Sequence, residues 1–190
     1  MKAKLIGAAV LAGAALAACG GKASFTIGGT VNGLSNQGLV LQNGSDTVAV
    51  PAGATTFAFP NQIDYGTEYN VSIKTQPDHM ECTVPNGHGS AGRTASINVV
   101  VNCSQKTYYL GGKVVNLKGS GLTIINGSSS GQLVLNKDAT EFSFANIPVG
   151  TAYGLAVLKQ PTDPAQVCTI TNPTGVMGDA DRMNVVITCQ

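Results

Sequence analysis

The feature that most constrains this chain is a segment that occurs twice. The second copy, Phe142–Pro161, reads FSFANIPVGTAYGLAVLKQP, and the first copy, Phe57–Pro77, reads FAFPNQIDYGTEYNVSIKTQP. Each copy has an alternating apolar run, a turn, a second alternating run and a proline, and two cysteines flanking an Asn-Val-Val run follow it. Alternation with a period of two residues is typical of half-buried strands. The chain therefore contains two copies of one β-rich unit.

Landmark residues align the two copies over most of their length. Gly28-Gly29 matches Gly111-Gly112, Tyr69 matches Tyr153, and Gln76-Pro77 matches Gln160-Pro161. The spacing between matched residues changes only between predicted strands, where loops absorb insertions without reversing the faces of a strand. The alignment predicts two tandem domains, residues 25–104 and 105–190, with a short joint around Ser104 to Lys106.

Composition and turn signals indicate the fold class. The chain has 24 glycines and no tryptophan, and after residue 19 no segment sustains the 3.6-residue apolar period of a helix. Short apolar runs are separated by Asn-Gly and other Gly-containing turns. We therefore predict an all-β protein in which each domain is a seven-stranded, antiparallel sandwich. The segment between residues 84 and 95 is expected to be a loop.

The N-terminus has the pattern of a lipoprotein signal peptide. Lys2 and Lys4 precede an apolar run that ends in Leu16-Ala17-Ala18-Cys19, which resembles a bacterial lipobox. This predicts a signal peptide over residues 1–18, lipidation at Cys19 and a short tether over residues 19–24. The alternative is an ordinary signal peptide cut at an A-x-A site, with Cys19 incidental. By resemblance to Gram-negative lipoproteins, Gly rather than Asp after the cysteine implies the outer membrane, with the membrane as partner through the lipid.

Four cysteines remain once Cys19 is set aside: Cys82, Cys103, Cys168 and Cys189. An even number of cysteines in an oxidising compartment predicts disulfides. Because the spacing within each pair is the same in both copies, we expect one bond inside each domain. Pairing between the domains and reactive thiols are the alternatives. There is no C-x-x-C motif, so a zinc or thioredoxin-like site is not expected.

The run Phe142-x-Phe144-x-x-Ile147-Pro148-x-Gly150-x-x-Tyr153-x-Leu155-x-Val157 resembles that of prealbumin-like and carboxypeptidase-regulatory-like β-sandwich domains. The whole mature pattern also resembles a tandem repeat of bacterial lipoproteins and secreted surface proteins of unassigned function. These resemblances imply two Ig-like sandwiches on a bacterial surface. The first copy departs from the pattern, with Gln62-Ile63-Asp64-Tyr65 at the Leu-Pro position. Architecture is implied much more strongly than activity.

Few residues form a pattern that indicates chemistry. His79, Glu81 and His88 could approach one another as metal ligands, but the second copy has no histidine there. Asp179 and Asp181 form a D-x-D that could bind calcium, without the flanking oxygen ligands of an EF-hand. No nucleophile elbow or evident catalytic triad occurs. We therefore predict no metal site, no cofactor and no enzyme activity, and the balance of 11 basic and 10 acidic residues does not indicate nucleic-acid binding.

The remaining candidates for recognition are tyrosines and divergent loops. Tyr69 and Tyr153 recur and are expected in the packing, whereas Tyr65 and the pair Tyr108-Tyr109 do not recur cleanly. Specificity is expected where the copies disagree, in Gln62–Tyr65, Asp78–Glu81, Pro85–Arg93, Thr162–Gln166 and Thr174–Arg182. The sequence favours a non-catalytic, membrane-anchored structural or adhesive lipoprotein, with a protein or glycan partner. The alternative is a ligand- or glycan-binding envelope lipoprotein.

Overall fold

The computed structural model describes residues 23–94, 96–127 and 131–190. The predicted signal peptide and Cys19 lie outside the described residues. Every regular element in the described part of the chain is a β-strand, as the composition and the alternating runs predict. Among these residues there is no helix with the length and hydrophobicity that a membrane span requires.

The described residues form sixteen strands, which divide into two sets of eight in sequence order. The first set is β1 Ser24–Asn32, β2 Leu39–Asn43, β3 Asp46–Val50, β4 Thr56–Asp64, β5 Glu68–Thr75, β6 Met80–Thr83, β7 His88–Ser90 and β8 Ile97–Gln105. The second set is β9 Thr107–Val115, β10 Leu122–Asn126, β11 Gly131–Leu135, β12 Glu141–Pro148, β13 Ala152–Lys159, β14 Cys168–Thr171, β15 Thr174–Val176 and β16 Arg182–Cys189.

Each set forms two four-stranded sheets with the same strand order. In the first half the sheets are β4-β1-β8-β6 and β3-β2-β5-β7, and in the second half they are β12-β9-β16-β14 and β11-β10-β13-β15. A buried hydrophobic cluster lies within each half, with no residue in common between the two clusters. The described chain therefore folds into two β-sandwiches, each with its own core.

The strand count differs from the seven predicted for each domain. The additional strands are β7 and β15, which pair with the first residues of β5 and β13. Both consist of three residues and contain a glycine. A strand this short has no room for a recognisable apolar alternation, so the sequence predicts a loop where the structure has a strand.

The pairing also differs from a fully antiparallel sandwich. β1 pairs in parallel with β8, and β9 pairs in parallel with β16, while every other pair of named strands is antiparallel. A period of two residues is the same for both kinds of ladder, so the alternating runs did not distinguish them. Because the first and last strands of each sandwich run in the same direction, the chain enters at one end of a sandwich and leaves at the opposite end.

The recurring glycine pair is explained by the central position of the first strand. β1 lies between β4 and β8, and β9 lies between β12 and β16. A Cβ atom added to Gly29 would lie 1.7 Å from the carbonyl oxygen of Val99, and one added to Gly112 would lie 1.8 Å from that of Val185. Only glycine therefore permits the observed approach of the two backbones at this position.

We predict that Gly112→Ala lowers the free energy of unfolding by about 3 kcal/mol or more, because the new methyl group meets backbone that cannot move without disturbing the sheet. Gly154→Ala is the matched control in the same sandwich, since no heavy atom lies within 4 Å of the added Cβ. The control should change stability by less than about 0.5 kcal/mol. Urea unfolding followed by circular dichroism measures both, and equal effects would contradict the explanation.

Candidate interaction surfaces

The recurring glutamine stabilises the backbone beside each disulfide. The side chain of Gln76 accepts a hydrogen bond from Cys82 N at 2.7 Å and donates one to Cys82 O at 3.0 Å. Gln160 makes the same pair of bonds with Cys168, at 2.8 and 3.1 Å. Both backbone groups of an edge-strand residue are satisfied in this way. The repeated glutamine is therefore part of the fold.

The recurring tyrosines also have a packing role. Tyr69 pairs with Gly89 across β5 and β7, and Tyr153 pairs with Gly175 across β13 and β15. A Cβ added to Gly89 would lie 2.4 Å from the Tyr69 hydroxyl oxygen, and one added to Gly175 would lie 2.5 Å from that of Tyr153. Each ring thus covers a glycine on the neighbouring strand, which agrees with the expectation that these two tyrosines pack in the sheet.

The four described cysteines form one bond within each sandwich. Cys82 is bonded to Cys103 and Cys168 to Cys189, with Cα–Cα distances of 4.0 Å. In both cases the two cysteines face each other directly across an antiparallel pair, β6 with β8 or β14 with β16. Each bond therefore connects the last strand of a sandwich to the edge strand beside it.

The two sandwiches are joined by one residue, Lys106, which lies between β8 and β9. Its backbone N–H donates to the carbonyl of His79 at 2.9 Å, and its carbonyl accepts from Val149 N at 3.0 Å. Gln105 extends this arrangement, because its side-chain amide donates to Val149 O at 3.1 Å. The exit end of the first sandwich therefore contacts the entry end of the second through bonds on both sides of the connecting residue.

A contact between a histidine and an aspartate supplements this joint. His79 Nδ1 lies 2.7 Å from Asp179 Oδ2, and the two side chains are 49% and 51% exposed. His79 belongs to the β5–β6 loop and Asp179 to the β15–β16 loop, two of the segments where the copies disagree. Because both groups are half exposed, solvent screens the pair and it contributes little free energy. Its main effect is to hold the β5–β6 loop beside the β15–β16 loop.

The structure does not bring the hypothetical metal ligands together. His79 contacts Asp179, and His88 lies on β7, in a different sheet from Glu81 on β6. In the D-x-D, Asp179 pairs with His79 and an oxygen of Asp181 accepts a hydrogen bond from Tyr109 N at 2.9 Å. Across residues 23–94, 96–127 and 131–190 there is no group of three or more His, Cys, Asp or Glu side chains arranged to hold a metal ion.

The end at which the chain enters each sandwich has a common backbone framework, which we call the entry face. In the first sandwich, Tyr65 N donates to Ala23 O at 2.9 Å and Gly66 N to Ala91 O at 2.9 Å. In the second, Val149 N donates to Lys106 O at 3.0 Å and Gly150 N to Met177 O at 2.8 Å. The entry faces comprise Tyr65, Gly66 and Ala91–Arg93 in the first sandwich, and Val149, Gly150 and Met177–Asp179 in the second.

The side chains on the two entry faces differ. Val149, whose backbone is bonded to Lys106 and Gln105, is 6% exposed, whereas the equivalent Tyr65 is 69% exposed. The Tyr65 ring lies over Gly92, where an added Cβ would be 2.3 Å from the ring, and its centroid is 6.5 Å from that of Phe25. Arg93 occupies the position that Asp179 has in the second sandwich. The sequence identified Tyr65 and the segment 85–93 as divergent but not that they share one face.

Two depressions provide further surface. One, of about 980 Å³, is predominantly polar and is lined by residues that include Glu68, Tyr69, His88 and Arg93. The other, of about 400 Å³, lies on the second sandwich between the edge strands β11 and β12 and is lined by residues that include Leu133, Phe142 and Met183.

Of the two adjacent tyrosines, Tyr109 is exposed, while Tyr108 packs against the second core.

Comparison with known proteins assigns no family to the chain. No protein-family model matches it, and no curated protein matches it. Among solved structures, it is matched to the major pilin proteins of two Streptococcus pyogenes serotypes. One is 12% identical with a TM-score of 0.31, covering 88% of this chain and 97% of the pilin. The other is 14% identical with a TM-score of 0.27, covering 89% and 96%. At these TM-scores the matches carry no argument about this chain.

We predict that Gln160→Ala lowers the free energy of unfolding by about 1–3 kcal/mol, because the backbone of the buried residue Cys168 loses both of its side-chain partners. Gln132→Ala, on the exposed face of β11, is the control and should have an effect below about 0.5 kcal/mol. Thermal and urea unfolding under non-reducing conditions measure the difference. An unchanged stability of the Gln160 variant would contradict the assigned role.

A second prediction concerns the joint. Insertion of Gly-Gly after Lys106 should uncouple the sandwiches, because the bonds to His79 and Val149 depend on a one-residue connection. Asp179→Ala should leave them coupled and cost less than about 1 kcal/mol, since it removes only a half-exposed contact with His79. NMR relaxation measures whether both sandwiches tumble together. Independent tumbling of the unmodified protein would refute a fixed joint.

Proposed function

We propose that this chain is a non-catalytic, lipid-anchored envelope lipoprotein that acts as a stalk in a structural or adhesive role. The observation that carries this proposal is the combination of parallel terminal strands with a one-residue joint. In each sandwich the chain enters at one end and leaves at the other, so successive sandwiches extend away from the N-terminus. A fold of this kind separates its two ends, which is what a spacer requires.

The joint favours a stiff spacer over a flexible tether. A single connecting residue, with hydrogen bonds from both of its backbone groups, leaves little freedom between the sandwiches. Glycine- or serine-rich linkers, which give independent domain motion, are absent between β8 and β9. A stiff connection holds the second sandwich at a fixed distance from whatever holds the N-terminus.

The anchor is proposed from the sequence. The apolar run ends in Leu-Ala-Ala before Cys19, and β1 of the first sandwich begins a few residues later, at Ser24. Each buried CH₂ of an acyl chain contributes about 0.8 kcal/mol, so a cysteine carrying several chains anchors a protein stably. Glycine after the cysteine supports an outer-membrane location.

The contacts with a partner are proposed to be made by the second sandwich. Its exit end carries the divergent segment Thr162–Gln166, and this end is the farthest along the chain from the N-terminal anchor. Gln166 there accepts bonds from Lys118 N and Gly119 N at 2.7 and 2.9 Å and donates to Asn116 O at 2.8 Å. A loop fixed in this way presents one conformation to a protein or glycan partner, at low entropic cost.

The anchoring proposal is tested by metabolic labelling with palmitate. We expect label in the wild-type protein and in Gly20→Ala, which keeps the cysteine and a small following residue, and none in Cys19→Ala. The physical reason is that only the Cys19 sulfur can receive the diacylglycerol. Absence of label from the wild type, or equal label in Cys19→Ala, would reject the anchor.

A further inference from the structure

The repeat provides an internal comparison for the entry face of the first sandwich. The entry face of the second sandwich contacts the first sandwich: Val149, which is buried, bonds to Gln105, and Asp179 contacts His79. The entry face of the first sandwich has the same backbone bonds but a different pair of side chains. A surface that binds the entry face of the first sandwich should be chemically complementary to those side chains.

The two substitutions are an aromatic residue for an aliphatic one and a cation for an anion. Tyr65 stands where Val149 does, and Arg93 stands where Asp179 does. Tyrosine is enriched where proteins meet the headgroup layer of a membrane, because its ring is apolar and its hydroxyl is polar. Arginine forms charge-assisted, bidentate hydrogen bonds with phosphate. Both side chains suit a phospholipid headgroup layer, and both are also common in protein interfaces, so the choice between these occupants depends on the tether.

The length of the tether limits what can fit beneath this face. Four residue steps separate Cys19 from Ala23, and an extended chain covers at most about 3.6 Å per residue, or roughly 14 Å in all. Ala23 is hydrogen-bonded to Tyr65. If Cys19 carries lipid, the bilayer surface therefore lies within reach of Tyr65, with no room for another folded domain between them.

We propose that the entry face of the first sandwich rests on the phospholipid headgroup layer, with the Tyr65 ring in the interface and the Arg93 guanidinium on a lipid phosphate. This inference rests on the proposed anchoring at Cys19. Asp64 and Glu68 lie at the same end of the sandwich as Arg93. The face is therefore not strongly basic, and the contact depends on Tyr65 and on a single phosphate more than on anionic lipid.

The test uses tryptophan fluorescence, because the chain has no tryptophan of its own. The chain from Cys19 onward is made with Tyr65→Trp, and its remaining thiol is coupled to maleimide-lipid in phosphatidylcholine vesicles with bromine on the acyl chains. This coupling does not depend on cellular lipidation. We expect the emission of the introduced tryptophan to shift to shorter wavelength and to be quenched. Tyr109→Trp, at an exposed position on the second sandwich, should show neither change.

Arg93→Glu in the Tyr65→Trp background should lose part of the quenching, because a carboxylate repels the phosphate. Adding phosphatidylglycerol should change quenching little. Tryptophan emission from Tyr65→Trp that stays solvent-like on the coupled vesicles would overturn the proposal even if palmitate labels Cys19. Quenching without palmitate labelling would support the membrane face and reject the anchor. A different outcome would assign the face to a second copy of the chain. In that case the protein without lipid self-associates, Arg93→Glu abolishes this self-association, and the tryptophan of Tyr65→Trp is not quenched on vesicles.

Discussion

The structure depends on the parallel pairing of the first and last strands in each sandwich. In the first sandwich β1 and β8 pair at the middle of one sheet, and in the second β9 and β16 do the same. Gly29 and Gly112 allow these pairs to form without a clash. This pairing fixes where the chain enters and leaves. Had the terminal strands been antiparallel, both ends of the chain would lie on one side, and a tandem copy would fold back beside the first.

Much of this architecture could be predicted from the sequence, because the same pattern of residues occurs in both copies. Alternating runs and turn residues predict the β class, and equal cysteine spacing predicts one bond in each sandwich, as found. The strands β7 and β15 were missed because three residues carry no periodic signal. Strand direction was missed because side-chain alternation does not depend on it.

The interaction surfaces were harder to predict for a different reason. His79 and Asp179 are far apart in sequence, and the other copy has different residues at both positions, so no pattern connects them. The divergent segments are not purely surface features, because Met80, Ala91 and Met177 lie in the two cores. Which of their other residues share one end of a sandwich follows only from the topology. Repetition shows which residues maintain the fold, such as Gln76 and Tyr69, and only the folded chain shows which of the others meet.

The direction of β1 and β8 has a mechanical consequence. If the N-terminus is held and the far end is pulled, tension enters each sandwich at the start of its first strand and leaves at the end of its last. The ladder between these strands is then loaded in shear, so its hydrogen bonds share the force and must fail together rather than open one after another. The disulfides attach the last strand to its other neighbour. A chain built in this way is suited to transmit a pull without unravelling.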